Sequence, residues 1–298
     1  MIKQRCIYGK FYKYKNMGNY RTTSLFRFSK DFESLQKVLK NGIYPNYCEE
    51  DLSFANEEFI IGIPMISFCD IPITLLDEHT SRYGVYGIGL SKAWGIKRGV
   101  TPVMYIANDA VLRSAHYHIM NDFKLTEMVN SKEFKDKMLG ETIIKSLPLD
   151  MYAKKLNAQL EHDINTYIVG YMKKYEGKYK GKQINNYEEN EWRFIVPDTK
   201  DTKWMWTKNE YDDWRFPKGK KNDVPKPKPT ESLIRYQLTF TPSDVKYILV
   251  KNLEFKIRTI EYIKTLKTFG SKDYELTEED KLDLITKIIT IEQVKEDF

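Results

Sequence analysis

The residues whose types are best suited to catalysis lie in one short stretch, Tyr187–Pro197, where acidic side chains stand beside bulky apolar ones. If this run is extended, side chains alternate, so Glu189, Glu191 and Arg193 share one face and the apolar residues pack on the other. Two carboxylates presented in this way can stabilise developing positive charge or act as a general base. The alternative is an ordinary half-exposed strand with its polar residues in water.

Two other extended segments carry polar residues that complement these carboxylates. Arg27 lies inside the predicted strand Leu25–Ser29 and points away from its two flanking phenylalanines, towards a cleft or solvent. Ser67 lies in a second strand pattern. A guanidinium offers planar, multi-donor contact to phosphates, which a surface lysine does not. The sequence therefore predicts a guanidinium, a hydroxyl and an acid that meet at one site.

Composition and charge limit the class of protein. With 298 residues, 41% of them hydrophobic and 14% aromatic, the chain can bury a sizeable core and is not of disordered composition. Three cysteines without metal-ligand spacing indicate a reducing compartment, and no apolar run approaches the ~20 residues that span a bilayer. We expect a cytoplasmic protein without a membrane segment. His116 and His118 have no partners at metal-ligand spacing, so no metal is expected.

Basic and aromatic clusters leave two interpretations open. Lysines concentrate over Lys173–Lys182 and Lys218–Lys228, although the net charge of +6 is modest. Such runs are typical of a solvated face or a surface loop, and less often of nucleic-acid binding. Trp204, Trp206 and Trp214 could stack on bases or fill the core beneath the lysine-rich loop.

Local signals predict the elements that would position these residues. Asp31 is the predicted N-cap of a helix that follows the first strand and ends at Gly42. Three glycines in the strand pattern Tyr83–Leu90 suggest a bulge, or close approach by a ligand or a neighbouring chain. Thr277 and Asp280 form a capping-box-like helix start. The other predicted elements are a mostly helical segment from Asn108 to about residue 176, strands over Leu233–Phe240 and Val245–Val250, and a C-terminal helix with Leu282, Ile285, Ile288 and Ile289 on its apolar face.

These segments together resemble the AbiGi family of abortive phage-resistance proteins, customarily labelled the antitoxin half of a two-gene system. The resemblance spans roughly residues 24–250 and implies a role in phage defence, with a cognate toxin or antitoxin protein as a candidate partner. It is carried by Leu25–Ser29, Ile66–Pro72, His79, Tyr83–Lys92 and Glu191–Arg193.

A more distant likeness bears on fold and domain organisation. The strand, loop and helix from Leu25 to Pro45 are similar to the opening of DarT-like and other ADP-ribosyltransferases. This likeness implies an α+β fold with a split mixed or antiparallel sheet, helical insertions and a C-terminal helical segment. We expect a core over residues 1–250, with a helical insertion at about 108–180 and a lysine- and proline-rich loop at 217–229. Helices over 251–298 would pack on that core.

The same likeness implies roles for particular residues. Arg27 would hold the ribose or phosphate of NAD, Ser67 would support the central strand, and Glu191 would be catalytic. Tyr83 and Tyr86 are alternatives for stacking on nicotinamide, and either could instead belong to the core.

Glu189 would orient the acceptor or serve as its base. The function so implied is NAD-dependent ADP-ribosyl transfer to a macromolecule, with nucleic acid as a candidate acceptor. The alternative is a non-enzymatic antitoxin that binds a partner toxin or DNA, and NAD hydrolysis without transfer is a third option.

Overall fold

A computed structural model describes residues 22–53, 59–107, 168–179, 181–197, 201–217 and 227–297 of the chain. These residues form an α+β protein, as the sequence predicts. The strands in chain order are β1 Ser24–Ser29, β2 Asn46–Asp51, β3 Ile60–Cys69, β4 Tyr86–Ser91, β5 Thr101–Pro102, β6 Met104–Ile106, β7 Met172–Lys174, β8 Glu176–Tyr179, β9 Lys182–Asn185, β10 Glu191–Ile195, β11 Trp206–Thr207, β12 Val245–Val250 and β13 Ile288–Thr290. The helices are α1 Phe32–Asn41, α2 Leu76–Tyr83, α3 Lys92–Lys97, α4 Lys208–Arg215, α5 Glu231–Ile234, α6 Leu253–Thr265, α7 Glu278–Thr286 and α8 Ile291–Asp297.

The main sheet is mixed and has the order β13-β12-β4-β1-β3-β10-β5, with β2 and β11 also paired to β3. β12 and β13 run parallel, while the other pairs in this sheet are antiparallel. Two smaller two-stranded sheets pair β6 with β7 and β8 with β9. The long strand β3 is therefore the centre of the fold, because four strands pair with it: β1, β2, β10 and β11.

The first strand and helix follow from local chemistry. Asp31 caps α1 by accepting a hydrogen bond from the Ser34 amide, and the helix ends at Gly42, whose φ of 78° suits a residue without Cβ. The apolar stripe of α1 packs on the sheet in the largest core cluster, together with Leu25 of β1 and Ile88 of β4. This unit confirms the sequence prediction and fixes the orientation of β1.

The glycines near β4 serve two different purposes. Gly84 is not in the strand, because α2 extends to Tyr83 and Gly84 ends it at a φ of 106°. A Cβ on Gly89 would lie 2.7 Å from the Phe26 ring, and one on Gly87 would lie 3.0 Å from the Phe28 ring. The close approach expected at these glycines is therefore made by aromatic rings of the chain itself.

Three other sequence predictions were wrong. Residues 172–174 and 176–179 are strands, not helix, because Met172 is buried where β7 pairs with β6. The predicted strand Leu233–Phe240 is a short helix followed by a single bridge at Leu238. The predicted C-terminal helix with one continuous apolar face is also wrong, because α7 ends at Thr286 and the isoleucines at 288 and 289 lie in strand β13. Within α7, Leu284 is buried, whereas Leu282 is 67% exposed.

Part of the expected organisation lies outside the described residues. This applies to residues 108–167 of the predicted helical insertion, which include His116 and His118. It also applies to residues 218–226 of the lysine- and proline-rich loop. The strand β12 and the capping box at Thr277 are present as predicted. Within the described ranges, no helix combines the length and apolar character needed to cross a bilayer.

Candidate functional site

The main sheet opens on one side of β3, and this opening defines the site. β2 pairs with β3 as far as Met65, and β1 meets β3 only where Phe26 faces Cys69. Strand β10 covers Met65–Cys69 on the opposite edge, so β1 and β2 must share the remaining edge. Between them, among the described strands, the backbone of β3 around Ser67 has no ladder partner on this side. A split of this kind leaves room for side chains within the plane of the sheet.

A cavity of about 440 Å³ lies at this split. Such a volume is within the range of small-molecule sites, which is roughly 300–1,000 Å³. Strand, turn and helix residues from six separate segments line it. Those that the sequence singled out are Arg27, Ser67, His79, Tyr83, Glu189 and Glu191, and Glu50 and Lys173 also line it.

Arg27 lies at the mouth of the split with few partners. Its Nη1 donates a hydrogen bond to the Ser67 carbonyl oxygen at 3.2 Å, and within the described residues this is the hydrogen bond that it makes. The Ser67 hydroxyl is 3.8 Å from the Met65 sulfur, so it is only weakly bonded. Burial lowers the pKa of Arg27. A guanidinium has five N–H donors, and most of those on Arg27 are available to a ligand.

Glu191 begins β10 and is held from two sides. Arg193 donates to both of its carboxylate oxygens, at 2.7 and 3.1 Å, and Lys173 donates to one of them at 2.6 Å. Burial alone would raise the pKa of Glu191, but these two cations outweigh it and hold the pKa well below its usual range. The carboxylate is therefore charged and fixed in position.

Arg193 itself is fully buried. Besides Glu191 it contacts Glu50 of β2 at 2.8 Å and donates to the Gly170 carbonyl oxygen at 2.8 Å. Burial raises the pKa of Glu50, although Arg193 opposes this effect. The pair Glu191 and Arg193 therefore joins β10 to β2 across β3, and it forms the inner wall of the site.

Glu189 is not on the strand, which corrects the predicted shared strand face. Residues 186–189 form a 3₁₀ turn and Asn190 adopts a left-handed conformation with φ of 42°, so β10 begins only at Glu191. The Glu189 carboxylate nevertheless returns to the same cluster. It accepts hydrogen bonds from Arg82 at 3.1 Å, from the Tyr83 hydroxyl at 2.7 Å and from Lys173 at 2.7 Å.

The two candidate tyrosines have different positions. Tyr83 lines the cavity at the end of α2, and burial raises its pKa, so its phenol is neutral when it donates to Glu189. Tyr86 packs against the rings of Phe32 and Phe255 in the main core and does not line the cavity. Of the two, only Tyr83 could contact a ligand there.

Two residues of the site were not recognised from the sequence. Lys173 was assigned to a solvated basic run, but its ammonium lies between Glu189 and Glu191, and these carboxylates with Glu50 raise its pKa well above its usual value although burial lowers it. Arg193 had a signal, since it is two residues from Glu191 on an extended strand and must lie beside it. No signal in the sequence places Lys173 in the site, because its partners come from other segments of the chain.

Other sequence candidates have structural roles. Trp204 is buried in a core cluster, and Trp206 stacks on Tyr47 with ring centroids 3.4 Å apart. Cys69 is buried, and burial raises the pKa of its thiol, which indicates a small core residue and not a nucleophile. The tryptophans therefore fill the core, as one of the two interpretations predicted.

Fold and site together define an α+β protein with a charged, small-molecule-sized cavity at a split in its central sheet. Residues 41–251 match the family model described as "Putative abortive phage resistance protein AbiGi, antitoxin". The chain is also 28% identical over 255 residues to the abortive phage resistance protein AbiGi of Lactococcus lactis subsp. cremoris, which covers 79% of this chain and 89% of that relative. No solved structure matches the chain. The chain belongs to the AbiGi family of abortive phage resistance proteins, and the predicted family resemblance is confirmed.

Proposed function

We propose that this protein is a phage-defence enzyme that transfers ADP-ribose from NAD to a macromolecular acceptor. The observation that carries the proposal is the meeting of Arg27, Ser67, Tyr83 and Glu191 at one cavity, although they are far apart in the sequence. A split sheet with an arginine on its first strand and a glutamate on a late strand is the arrangement that the likeness to ADP-ribosyltransferases implies.

Arg27 is suited to the anionic part of NAD. A half-buried cation with a single hydrogen bond to a carbonyl is incompletely compensated, and a bound pyrophosphate would compensate its charge. The lowered pKa of Arg27, caused by burial, has the same physical origin. Binding of an anion at this position would therefore relieve a cost that is present in the ligand-free protein.

Glu191 is suited to the reacting end of NAD. Cleavage of the bond between nicotinamide and ribose C1′ sends the bonding electrons to nicotinamide and leaves positive charge on the sugar. A fixed carboxylate in a site of low dielectric stabilises such charge without reorganisation. An acceptor hydroxyl, amine or ring nitrogen then bonds to C1′ and loses its proton, and Glu189, which lines the cavity, would receive that proton.

The test uses the purified full-length protein, NAD labelled in the adenylate phosphate, and total cell extract. We expect label in one class of polymer, identified by nuclease and protease treatment, together with stoichiometric release of nicotinamide. The absence of both transfer and nicotinamide release would overturn the enzymatic proposal. Release without transfer would indicate NAD hydrolysis instead.

Variants connect the activity to the cavity. Glu191→Gln should abolish transfer, and Arg27→Gln should raise the KM for NAD more than it lowers kcat. The matched control is Asp70→Asn, which removes a partly buried ion pair of 2.6 Å with Lys92 but does not line the cavity. It should retain activity. Thermal unfolding of each variant separates loss of catalysis from loss of folding.

A second candidate is favoured by one specific observation. Both oxygens of Glu191 are already occupied by Arg193 and Lys173, so much of its charge is neutralised. In this alternative the protein is an antitoxin, the word that the description of its family model uses, and it has no enzymatic activity of its own but binds a toxin partner. Glu191→Gln would then leave phage protection and partner binding intact in a folded variant.

A further inference from the structure

His79 lines the cavity, but the proposed reaction does not use it. Its side chain is only 8% exposed, and it lies between two aromatic rings of the cavity wall. The ring centroids are 5.1 Å from Phe28 and 4.5 Å from Tyr83. These contacts hold the imidazole by its faces and do not use its nitrogens.

The two ring nitrogens of His79 make no hydrogen bond to any described residue, and they are not sealed from the cavity. A neutral imidazole has one N–H donor and one acceptor nitrogen. Buried polar groups are normally hydrogen-bonded, and an exception beside a cavity indicates a ligand partner. Because burial lowers the pKa of His79 to about 4, the ring is neutral at physiological pH. The two nitrogens point away from each other, so a single ligand group bonds to one of them, and an uncharged group suits the neutral ring.

The position of His79 relative to the acidic cluster narrows the identity of that partner. Tyr83 packs against His79 and donates to Glu189, and Lys173 links Glu189 to Glu191. The group attached to the reacting ribose carbon must lie beside Glu191, so this end of the cavity is the place for the leaving group. A phosphate would bring further negative charge towards Glu189 and Glu191, whereas an uncharged polar group would not.

The geometry points to His79 as the residue that binds the carboxamide of nicotinamide, between the rings of Phe28 and Tyr83. A carboxamide is uncharged, and either its oxygen can accept from the imidazole N–H or its NH₂ can donate to the other nitrogen. This inference rests on the proposed use of NAD and adds to it the residue that recognises the leaving group. In this role His79 is a binding residue for the flat, uncharged end of the substrate.

The test measures binding of two unreactive probes, nicotinamide and ADP-ribose, to the full-length protein by calorimetry. His79→Phe retains the aromatic contacts and removes both hydrogen-bonding groups, and we expect it to weaken nicotinamide binding about 10- to 100-fold. ADP-ribose binding should be unchanged. His79→Gln, which restores a donor and an acceptor, should recover part of the nicotinamide affinity.

The outcomes separate this inference from the proposed function. If wild-type protein binds ADP-ribose and nicotinamide but His79→Phe binds nicotinamide equally well, the carboxamide assignment is overturned and the proposed function stands. A loss of ADP-ribose affinity in His79→Phe would place the adenine or the phosphates at this position and would also overturn it. If the wild-type protein binds neither probe, both the proposed function and the assignment are wrong.

Discussion

Replacing His79 by phenylalanine should make the stability of the protein less dependent on pH. The phenyl ring can occupy the space between Phe28 and Tyr83 and keep the aromatic contacts. It removes a group that is hard to protonate in the folded state, because burial lowers the pKa of His79 from 6.5 to about 4. The nearby charges act in both directions, since Glu189 and Glu191 raise this pKa while Arg82 and Lys173 lower it.

The sign and size of the effect follow from the two pKa values. Between them, the unfolded chain binds a proton at His79 more readily than the folded protein does. The corresponding stability is therefore fully present above the unfolded pKa of 6.5 and is lost as the pH falls towards 4. At about pH 5 the loss amounts to about 2 kcal/mol, and it approaches about 3 kcal/mol below the folded pKa.

The assay is urea unfolding followed by tryptophan fluorescence, on wild-type protein and His79→Phe, over the range from about pH 7.5 to pH 5. Other carboxylates titrate in both proteins, so the difference between the two curves isolates His79. We expect wild-type protein to lose about 2 kcal/mol more than the variant over this range. Parallel curves, or a His79 titration midpoint near 6.5 by NMR, would refute the reasoning.

Three further substitutions test the charges and the backbone of the site. Arg27→Met should raise the free energy of unfolding by up to about 1 kcal/mol while weakening NAD binding, because it removes an incompletely paired, half-buried charge. Lys173→Met should lower the free energy of unfolding by about 3–5 kcal/mol, because it leaves two buried carboxylates without the cation that they share. Gly84→Ala should destabilise more than Gly99→Ala, by about 1–3 kcal/mol, since both have positive φ but only at Gly84 would a Cβ meet backbone atoms.

Each of these expectations has a measurement that can contradict it. Urea unfolding gives the free energies, and calorimetry gives the affinity for NAD. Loss of stability in Arg27→Met would mean that its guanidinium is well compensated in the folded protein. An unchanged Lys173→Met would mean that water already screens the carboxylates, and equal losses at the two glycines would mean that the chain relaxes around the added methyl group.

The parts of the fold that could be predicted from the sequence depend on local signals. The cap at Asp31, the helix end at Gly42 and the capping box at Thr277 all act within one helical turn, and each is present. The strand β12 was predicted with its observed bounds, Val245–Val250, because it is a short apolar run between turn residues. Such signals survive folding because the groups that satisfy them are neighbours in sequence.

The errors have a common physical cause, which is that the deciding partner lies far away in the sequence. Lys173 follows a buried methionine in a lysine-rich segment, and only the carboxylates of β10 and the preceding turn make its burial possible. Glu189 was placed on a strand because alternation continues through it, whereas Asn190 reverses the backbone there. The end of α7 before β13 similarly depends on pairing with β12, about 40 residues earlier.

The candidate site was predictable to the extent that residue type determines chemistry. Arg27, Ser67, Tyr83 and Glu191 line one cavity, and the likeness to ADP-ribosyltransferases had assigned all four to one site. Tyr86 was not separable from Tyr83, since both follow from the same motif and only the helix end at Gly84 divides them. Pairing of particular charges, which decides whether a carboxylate is free or held, depends on the folded arrangement.

The charged cavity is not explained by the stability of the fold. A buried ion pair such as Glu191 and Arg193 is usually no more stabilising than apolar side chains of similar volume, and Arg27 is a half-buried cation with a single carbonyl contact. The separation of β1 from β2 along β3 also removes ladder hydrogen bonds that a continuous sheet would make. Features that each weaken a fold and that meet at one place are typical of functional sites. The cavity is therefore a better candidate for the phage-resistance activity than the tryptophans, which have adequate structural explanations.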